Sequence, residues 1–477
     1  MGIIWTIIIV YMAAMIGIGL YAKTKIKNSN DYHLAGRRLG PIMLAGTLAA
    51  TEIGGGSSVG VASKAYGEWG LSAGWYVVSA GIGILLVSFI APFMRKALAT
   101  TVPEIIGRRY GKSSYVISSV LSVIASAALA AVQITATATI VHVLTGFSLT
   151  WAILLSGAVV VFYTYLGGMW SVTLTDFVQF FIIVFGFALA VPYALSAAGG
   201  FNTVISNLPS EQLGFTKIGW STILGLILLY FMTFSTGQEA VQRYYSAKNE
   251  KVAVTGSLLC GLLMTIYAFI PAALGLIALA SFPNIDENNA LATVTVELLP
   301  PLVAGILLSG VISATLSSAS GNLLAVASVY VKDIHGSLMK KTVDSSTELK
   351  MSKRVVMLSG LFAIGISLFS QQIIPLLVFA FTIRSTGPFA AYILGLLWEK
   401  VTPNAGFYSV LTGTVAGVSW QLAKEPFGIM AVVAGCVISL VTFLLVNWIE
   451  RKKGVQQAPS AFDSNDGNQD HLPANIS

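Results

Sequence analysis

The stretch Leu44–Gly67, LAGTLAATEIGGGSSVGVASKAYG, has two apolar flanks around a polar, glycine-rich middle. Glu52 stands beside Gly54, Gly55 and Gly56, and Ser57 and Ser58 follow. What such a middle means depends on the solvent of its flanks. The chain's 477 residues are 55% apolar and 10% charged, and their mean hydropathy is +0.80. A globular domain is about 25% charged, so a water-soluble fold, a disordered chain and a disulfide scaffold are excluded. At about 20 residues per helix, the apolar content fills on the order of a dozen membrane spans. In lipid a helix must satisfy its own backbone, and a break is tolerated only where it lines a cavity or is buried in protein. Single glycines in membrane helices usually serve close packing. A triple glycine beside a carboxylate is poorly explained that way, so a functional break is expected here.

Working outward, the apolar runs mark about 13 candidate helices. They lie near 3–22, 40–64, 70–95, 114–144, 150–168, 172–197, 217–240, 252–281, 299–331, 355–376, 378–398, 404–422 and 427–449. No positive charge precedes the first, while Lys23, Lys25 and Lys27 follow it, the pattern of an uncleaved first helix rather than a signal peptide. Basic residues recur after odd-numbered segments: Arg37 and Arg38, Arg95 and Lys96, Arg108 and Arg109, Arg243 and Lys248, then Lys332, Lys340, Lys341 and Arg354. Loops after even-numbered segments are bare or acidic, as at Asp286 and Glu287. By the positive-inside rule the N-terminus is expected outside and the C-terminus inside. The net charge of +7 thus belongs to loops at a membrane surface, and nucleic acid is not an expected partner. The two cysteines, Cys260 and Cys436, lie in apolar runs, and the four histidines are scattered without metal-ligand spacing. No nucleophile–base pair stands out, so an intramembrane enzyme is not expected.

A second interruption appears in the seventh segment, ILLYFMTFSTGQEAVQRYY, at Ser235–Gln238. The second segment opens one set of five helices and the seventh opens another. An odd number per set inverts the second set relative to the first. Paired breaks at matching places in inverted halves point to a binding site near the bilayer midplane. In the ninth segment, GVISATLSSASGNLL, Ala314, Ser317 and Ser318 fall at i, i+3 and i+4 on one helix face. Such oxygens suit a hard cation, although serines in membrane helices also bond to their own backbone. Carbonyls freed at the break, Ala50–Ile53, could complete the set. Of the ionisable groups within the segments, Asp176 lies near the start of the sixth and Arg384 within the eleventh. Arg384 either contacts solute or is held in an ion pair with a neighbouring helix.

The block YTYLGGMWSVTLTDFVQ, Tyr163–Gln179, with GQEAVQRYYSAKN, AGILLSGVISATLSSASGNLL and the run Gly387, Pro388, Trp398, Thr402, resembles the sodium/solute symporter family. Locally, TLAATEIGGGSSVG and the Gly-Gly-Met-Trp-Ser block look nearest to its choline-transporter branch. The resemblance implies an all-α polytopic membrane protein with a LeuT-type 5+5 inverted repeat and one extra helix in front. The expected layout is residues 1–39 for that helix and loop, 40–198 and 199–400 for the repeats, 401–453 for two accessory helices, and a disordered tail over 454–477. Carried over residue by residue, the sodium ligands fall at the carbonyls of Ala50, Ile53 and Ala314 and the hydroxyls of Ser317 and Ser318. Asp176 matches an acidic residue near a sodium exit path or second sodium site, which Ser320 could join.

The place on the second segment that corresponds to a choline cage holds Glu52, and the fourth segment, SVIASAALAAVQITATATIV, offers no tryptophan, so the aromatic cage expected for a quaternary amine is not evident. Glu52, Gly54, Gly55, Gln133, Gln238 and Arg384 instead suggest a small polar solute, a zwitterion or carboxylate, with Phe234 as a gate or a core residue. Glu52 has alternatives: a pair with Lys64, or a cation or proton as its ligand. The expected function is sodium-coupled solute import across the plasma membrane of a bacterium. The competing expectations are a proton-coupled carrier on the same scaffold and a carrier of choline- or betaine-like solutes.

Overall fold

The computed structural model describes residues 2–338, 344–370 and 373–462. With so few charges to solvate, the helices bury their side chains against one another and against lipid. Among the described residues, regular structure is helical apart from one isolated bridge between Leu39 and Ala247. Nine helices there are long and apolar enough to cross a membrane, or ten if Ile373–Ser385 and Pro388–Leu397, bent by 47°, form one span. The count therefore falls below the thirteen expected. The second segment fails because it is broken, the fifth because its apolar helix, Leu149–Phe162, is short, and the twelfth, Pro403–Leu422, on hydropathy.

The second segment begins at Pro41, whose ring suits a first helical turn, and its helix ends at Glu52. Ile53 leaves helical geometry (φ −80°, ψ 71°), and the chain winds again over Gly56–Gly60 and Val61–Tyr66. The seventh segment stops at Thr236 and restarts at Gln238, with Gly237 extended between them (ψ 116°). The bend between Ser385 and Pro388 is a further interruption, one that the apolar pattern did not announce. The fifth and sixth segments form one run, Leu149–Ala197, kinked at Gly168 (φ +60°). Only glycine serves there, because a Cβ would also stand 2.5 Å from the ring of Tyr32.

Pro301–Ser328, the ninth segment, is the axis of the molecule. The apolar window of its span is 83% buried inside the protein, against 28% for the first span, Gly2–Ala22. A helix apolar all round belongs at such an axis. The tail, expected to be loose from 454, holds to the fold as far as 462: Ala458 N–H donates to Val401 O at 2.8 Å, and Arg109 donates to Trp398 O at 2.6 Å and to Pro459 O. The remainder of that tail, with Lys340 and Lys341, lies outside the described residues.

Candidate functional site

Helix Pro301–Ser328 crosses the first half of the broken segment, Pro41–Glu52, where that half ends. Ser317 Oγ lies 2.6 Å from Ala50 O and 3.0 Å from Ala314 O. Ser318 Oγ lies 3.0 Å from Ala314 O and donates to Thr51 O. Carbonyls at a helix end have lost their intrahelical donors, so Ala50 and Thr51 can offer oxygens to a hydroxyl or a cation. Two hydroxyls and three carbonyls, all buried, thus converge from two helices. They include every expected sodium position except Ile53, which closes the half-helix by donating to Ala49 O at 2.8 Å and turns its backbone out of helical register. The Thr51 carbonyl was absent from the expected set, because spacing does not say which carbonyls a break exposes.

A cavity adjoins this cluster, and Thr51 and Ser318 belong to both. Glu52, Gly54, Gly56 and Ser57 line it from the break, Gln133 from the fourth segment, and Phe234 from the seventh. Gln133 Oε1 accepts from Gly55 N–H at 2.7 Å, so this amide satisfies a donor that the break would leave bare. The glycines are there for closeness: a Cβ on Gly54 would stand 2.7 Å from Ser318 Oγ, and one on Gly55 would collide with Ala136 Cβ. Lys64 lies over the Trp69 ring, 6.0 Å from its centroid, and no Glu52–Lys64 pair forms.

Several expected contacts fall elsewhere. Gln238 turns away from this cavity; its amide accepts from Val102 N–H at 2.8 Å and donates to Thr100 O at 3.1 Å. Arg384 also misses the cavity and pairs with Glu239, with both side chains 4% exposed. Both residues line a neighbouring polar pocket with Ser118, Ser122 and Ser126. Asp176, placed near a cation path, accepts from Arg243 at 3.0 Å and from Thr47 at 2.7 Å. A guanidinium already supplies the positive charge there. Ser320 donates back to Ser317 O at 3.0 Å, the ordinary use of a helical serine. Tyr76, Tyr230, Glu239, Asn322 and Phe381 line the cavity and were not foreseen. Tyr230 could have been found, since it stands four residues before Phe234 on the same helix face.

A family model described as the sodium:solute symporter family matches residues 32–413. A sodium/pantothenate symporter of Haemophilus influenzae is 27% identical, covering 94% of this chain and 96% of its own. The osmoregulated proline transporter OpuE of Bacillus subtilis is 25% identical over 93% and 94%. The sodium/glucose cotransporter 1 of Oryctolagus cuniculus is 25% identical over 89% and 72%. The local likeness to the choline branch gains no support from these. A Na+-coupled sialic acid symporter, solved substrate-bound and outward-open, superposes with a TM-score of 0.83 at 18% identity, over 96% of this chain and 99% of its own. The nucleobase-cation-symport-1 transporter Mhp1 superposes at 0.60 with 16% identity, over 89% and 96%. The fold is LeuT-like.

Proposed function

Because the chain belongs to the sodium:solute symporter family and is a sodium-coupled, multi-pass membrane symporter, we propose that it imports a small polar organic solute by alternating access. Sodium is cargo here, not a resident cofactor. The relatives' pantothenate, proline and glucose are all compact polar molecules, and the polar groups lining the cavity at the helix break, Glu52, Ser57 and Gln133 among them, suit a solute of that chemistry. One observation carries the reading: Ser318 and Thr51 belong both to the hydroxyl–carbonyl cluster and to the lining of the cavity. A cation received by Ala50, Ile53, Thr51, Ala314, Ser317 and Ser318 would tie the broken helix to the central one and so set the shape of the solute site. Such an ordering couples the two ligands, because each then binds better to the state the other favours.

The finer architecture belongs to the same proposal. Two inverted sets of five helices, residues 40–198 and 199–400, would rock about the site, with the N-terminus outside and the C-terminus inside. The broken second, the short fifth and the weakly apolar twelfth segments would bring the spans to about 13. Phe234 would close over the solute. We place the protein in a bacterial plasma membrane, as for the pantothenate and proline relatives. One sodium crossing about −100 mV supplies roughly 2.3 kcal/mol. A tenfold sodium gradient adds about 1.4 kcal/mol. Together they hold a neutral solute at a several-hundredfold gradient.

Uptake into proteoliposomes under an inward sodium gradient tests this. Accumulation should collapse when potassium replaces sodium and in Ser317→Ala/Ser318→Ala, with the protein still folded. Accumulation that ignores sodium and follows a pH gradient would instead favour a proton carrier, with Glu52 as the titrating group.

A further inference from the structure

The cavity has a charge character that its solute must match. Glu52 Oε1 and Glu239 Oε2 are buried oxygens without a hydrogen-bond partner, and both residues line the space. Glu239 is only 3% exposed, and its other oxygen is held by Arg384. Tyr76, Tyr230, Phe234 and Phe381 wall the same cavity, with Tyr230 5.3, 5.2 and 6.0 Å from the other three ring centroids. No lysine or arginine is among the lining residues. The nearby guanidiniums have charge partners, Arg243 on Asp176 and Arg384 through Nη1 on Glu239; Arg384 also lies over the Phe381 ring, 4.7 Å from its centroid, with Nε and Nη2 free of hydrogen bonds. Three carboxylates against two guanidiniums leave this neighbourhood one negative charge in excess when all are ionised.

An unmatched carboxylate within a membrane protein calls for a cation, and aromatic faces attract one through their quadrupoles. Two independent features of the wall therefore select the same ligand chemistry. We propose that the transported solute carries an organic ammonium group, seated between Glu52 and the ring wall of Tyr76, Tyr230 and Phe234. This rests on the symport reading and sharpens it. An amine-free carboxylate finds no free cationic side chain in the lining, and a sugar leaves Glu52 without its counter-charge. A zwitterion enters by its amine end. Arg384, expected either to contact solute or to be held in an ion pair, pairs with Glu239 and is not among the residues lining this cavity.

The test is sodium-driven uptake into proteoliposomes of probes matched in shape and differing in charge: choline against 3,3-dimethylbutanol, then proline, glycine betaine, putrescine, glucose and pantothenate. At least one ammonium should accumulate, and the neutral isostere should not. Glu52→Gln should raise its KM tenfold or more, a step of the size a lost charge-assisted hydrogen bond gives. Tyr230→Leu should raise KM severalfold, with the sodium concentration for half-maximal uptake, read at saturating solute, unchanged in both variants. Sodium-dependent uptake confined to glucose or pantothenate, or a Glu52→Gln variant with unaltered KM, would overturn the inference and leave symport standing. A Glu52→Gln variant that shifts only the sodium dependence would assign the carboxylate to the ion and overturn it as well. No sodium-dependent uptake of any probe would count against both.

Discussion

Two carboxylates of the broken segment's neighbourhood, Asp176 and Glu52, meet opposite fates. Asp176 Oδ2 receives Arg243 at 3.0 Å, Thr47 at 2.7 Å and Thr51 at 3.3 Å, all from inside the fold, while its Oδ1 has no hydrogen-bond partner. Glu52 directly follows Thr51 on the helix Pro41–Glu52; its Oε1 has no hydrogen-bond partner, and the residue lines a cavity. A chain that can furnish a buried aspartate with a guanidinium and two hydroxyls could have furnished the glutamate too. A charge partner marks a carboxylate that holds helices together, and a carboxylate without one that lines a cavity marks a group kept for a ligand. Glu239 stands between the two, with one oxygen on Arg384 and the other without a hydrogen-bond partner in a residue that lines the cavity.

The largest expected effect comes from making the first carboxylate resemble the second. Arg243→Met strips Asp176 of its charge partner and also frees the Glu239 carbonyl, which accepts from Arg243 at 2.6 Å. Breaking one side of a buried pair costs about 3–5 kcal/mol, so the melting temperature of the purified protein should fall steeply. Arg243→Met with Asp176→Asn should recover much of that loss. Glu52→Gln removes no partner and should leave the melting temperature unchanged or raise it. If Glu52→Gln destabilised as much as Arg243→Met, the division between holding and receiving carboxylates would be wrong.

Sequence alone went far with the scaffold because hydropathy and broken helices have one-dimensional signatures. The triple glycine, the Ser235–Gln238 interruption and the Ser317, Ser318 pair each state a local constraint that lipid makes strict. Side-chain direction has no such signature. Gln238 and Glu239 are adjacent, yet a helix turns about 100° between neighbours. Glu239 therefore reaches the cavity while Gln238 caps Val102. Arg384 and Asp176 were conspicuous as charges among apolar residues, but their partners Glu239 and Arg243 are 145 and 67 residues away in sequence. Such distances cannot be read without the fold. The aromatic wall was missed for the same reason, since Tyr76, Tyr230 and Phe381 come from three different segments.

His33 offers a smaller effect and a third way to bury a titratable group, which is to keep it neutral. Its ring lies on the loop helix Ser29–Leu34, with Nδ1 2.8 Å from Ser328 Oγ. Burial, and secondarily the charge of Lys332, lowers its pKa to about 3. An unfolded histidine titrates near pH 6.5, so the unfolded chain takes up the proton first. Stability should be full above about pH 6.5 and drain away as pH falls towards 3. By pH 5 the loss is about 2 kcal/mol, the product of the 1.5 units between 6.5 and 5 and the value of each unit. Melts at pH 8 and pH 5 should separate in the wild type and converge in His33→Gln; a separation of equal size in the variant would place the pH response elsewhere.

The smallest effect comes from a pair that has partners but little burial. Glu104 and Arg108 stand at i, i+4 on the loop helix Val102–Tyr110, and each side chain is 27% exposed. Water and salt screen such a pair, and exposed helical pairs contribute about 0.3–0.5 kcal/mol. Each residue also bonds to backbone, Glu104 to Thr100 N–H at 2.8 Å and Arg108 to Ala97 O at 3.0 Å, so single substitutions would overstate the pair. A double-mutant cycle with Glu104→Gln and Arg108→Gln removes those separate terms, and the remaining coupling should shrink in high salt. Arg243 with Asp176 is the same chemistry 1% and 0% exposed, and its coupling should persist at the same salt. Equal couplings at the two places would mean that burial does not set the strength of these pairs. The unpaired state of Glu52 would then no longer single it out.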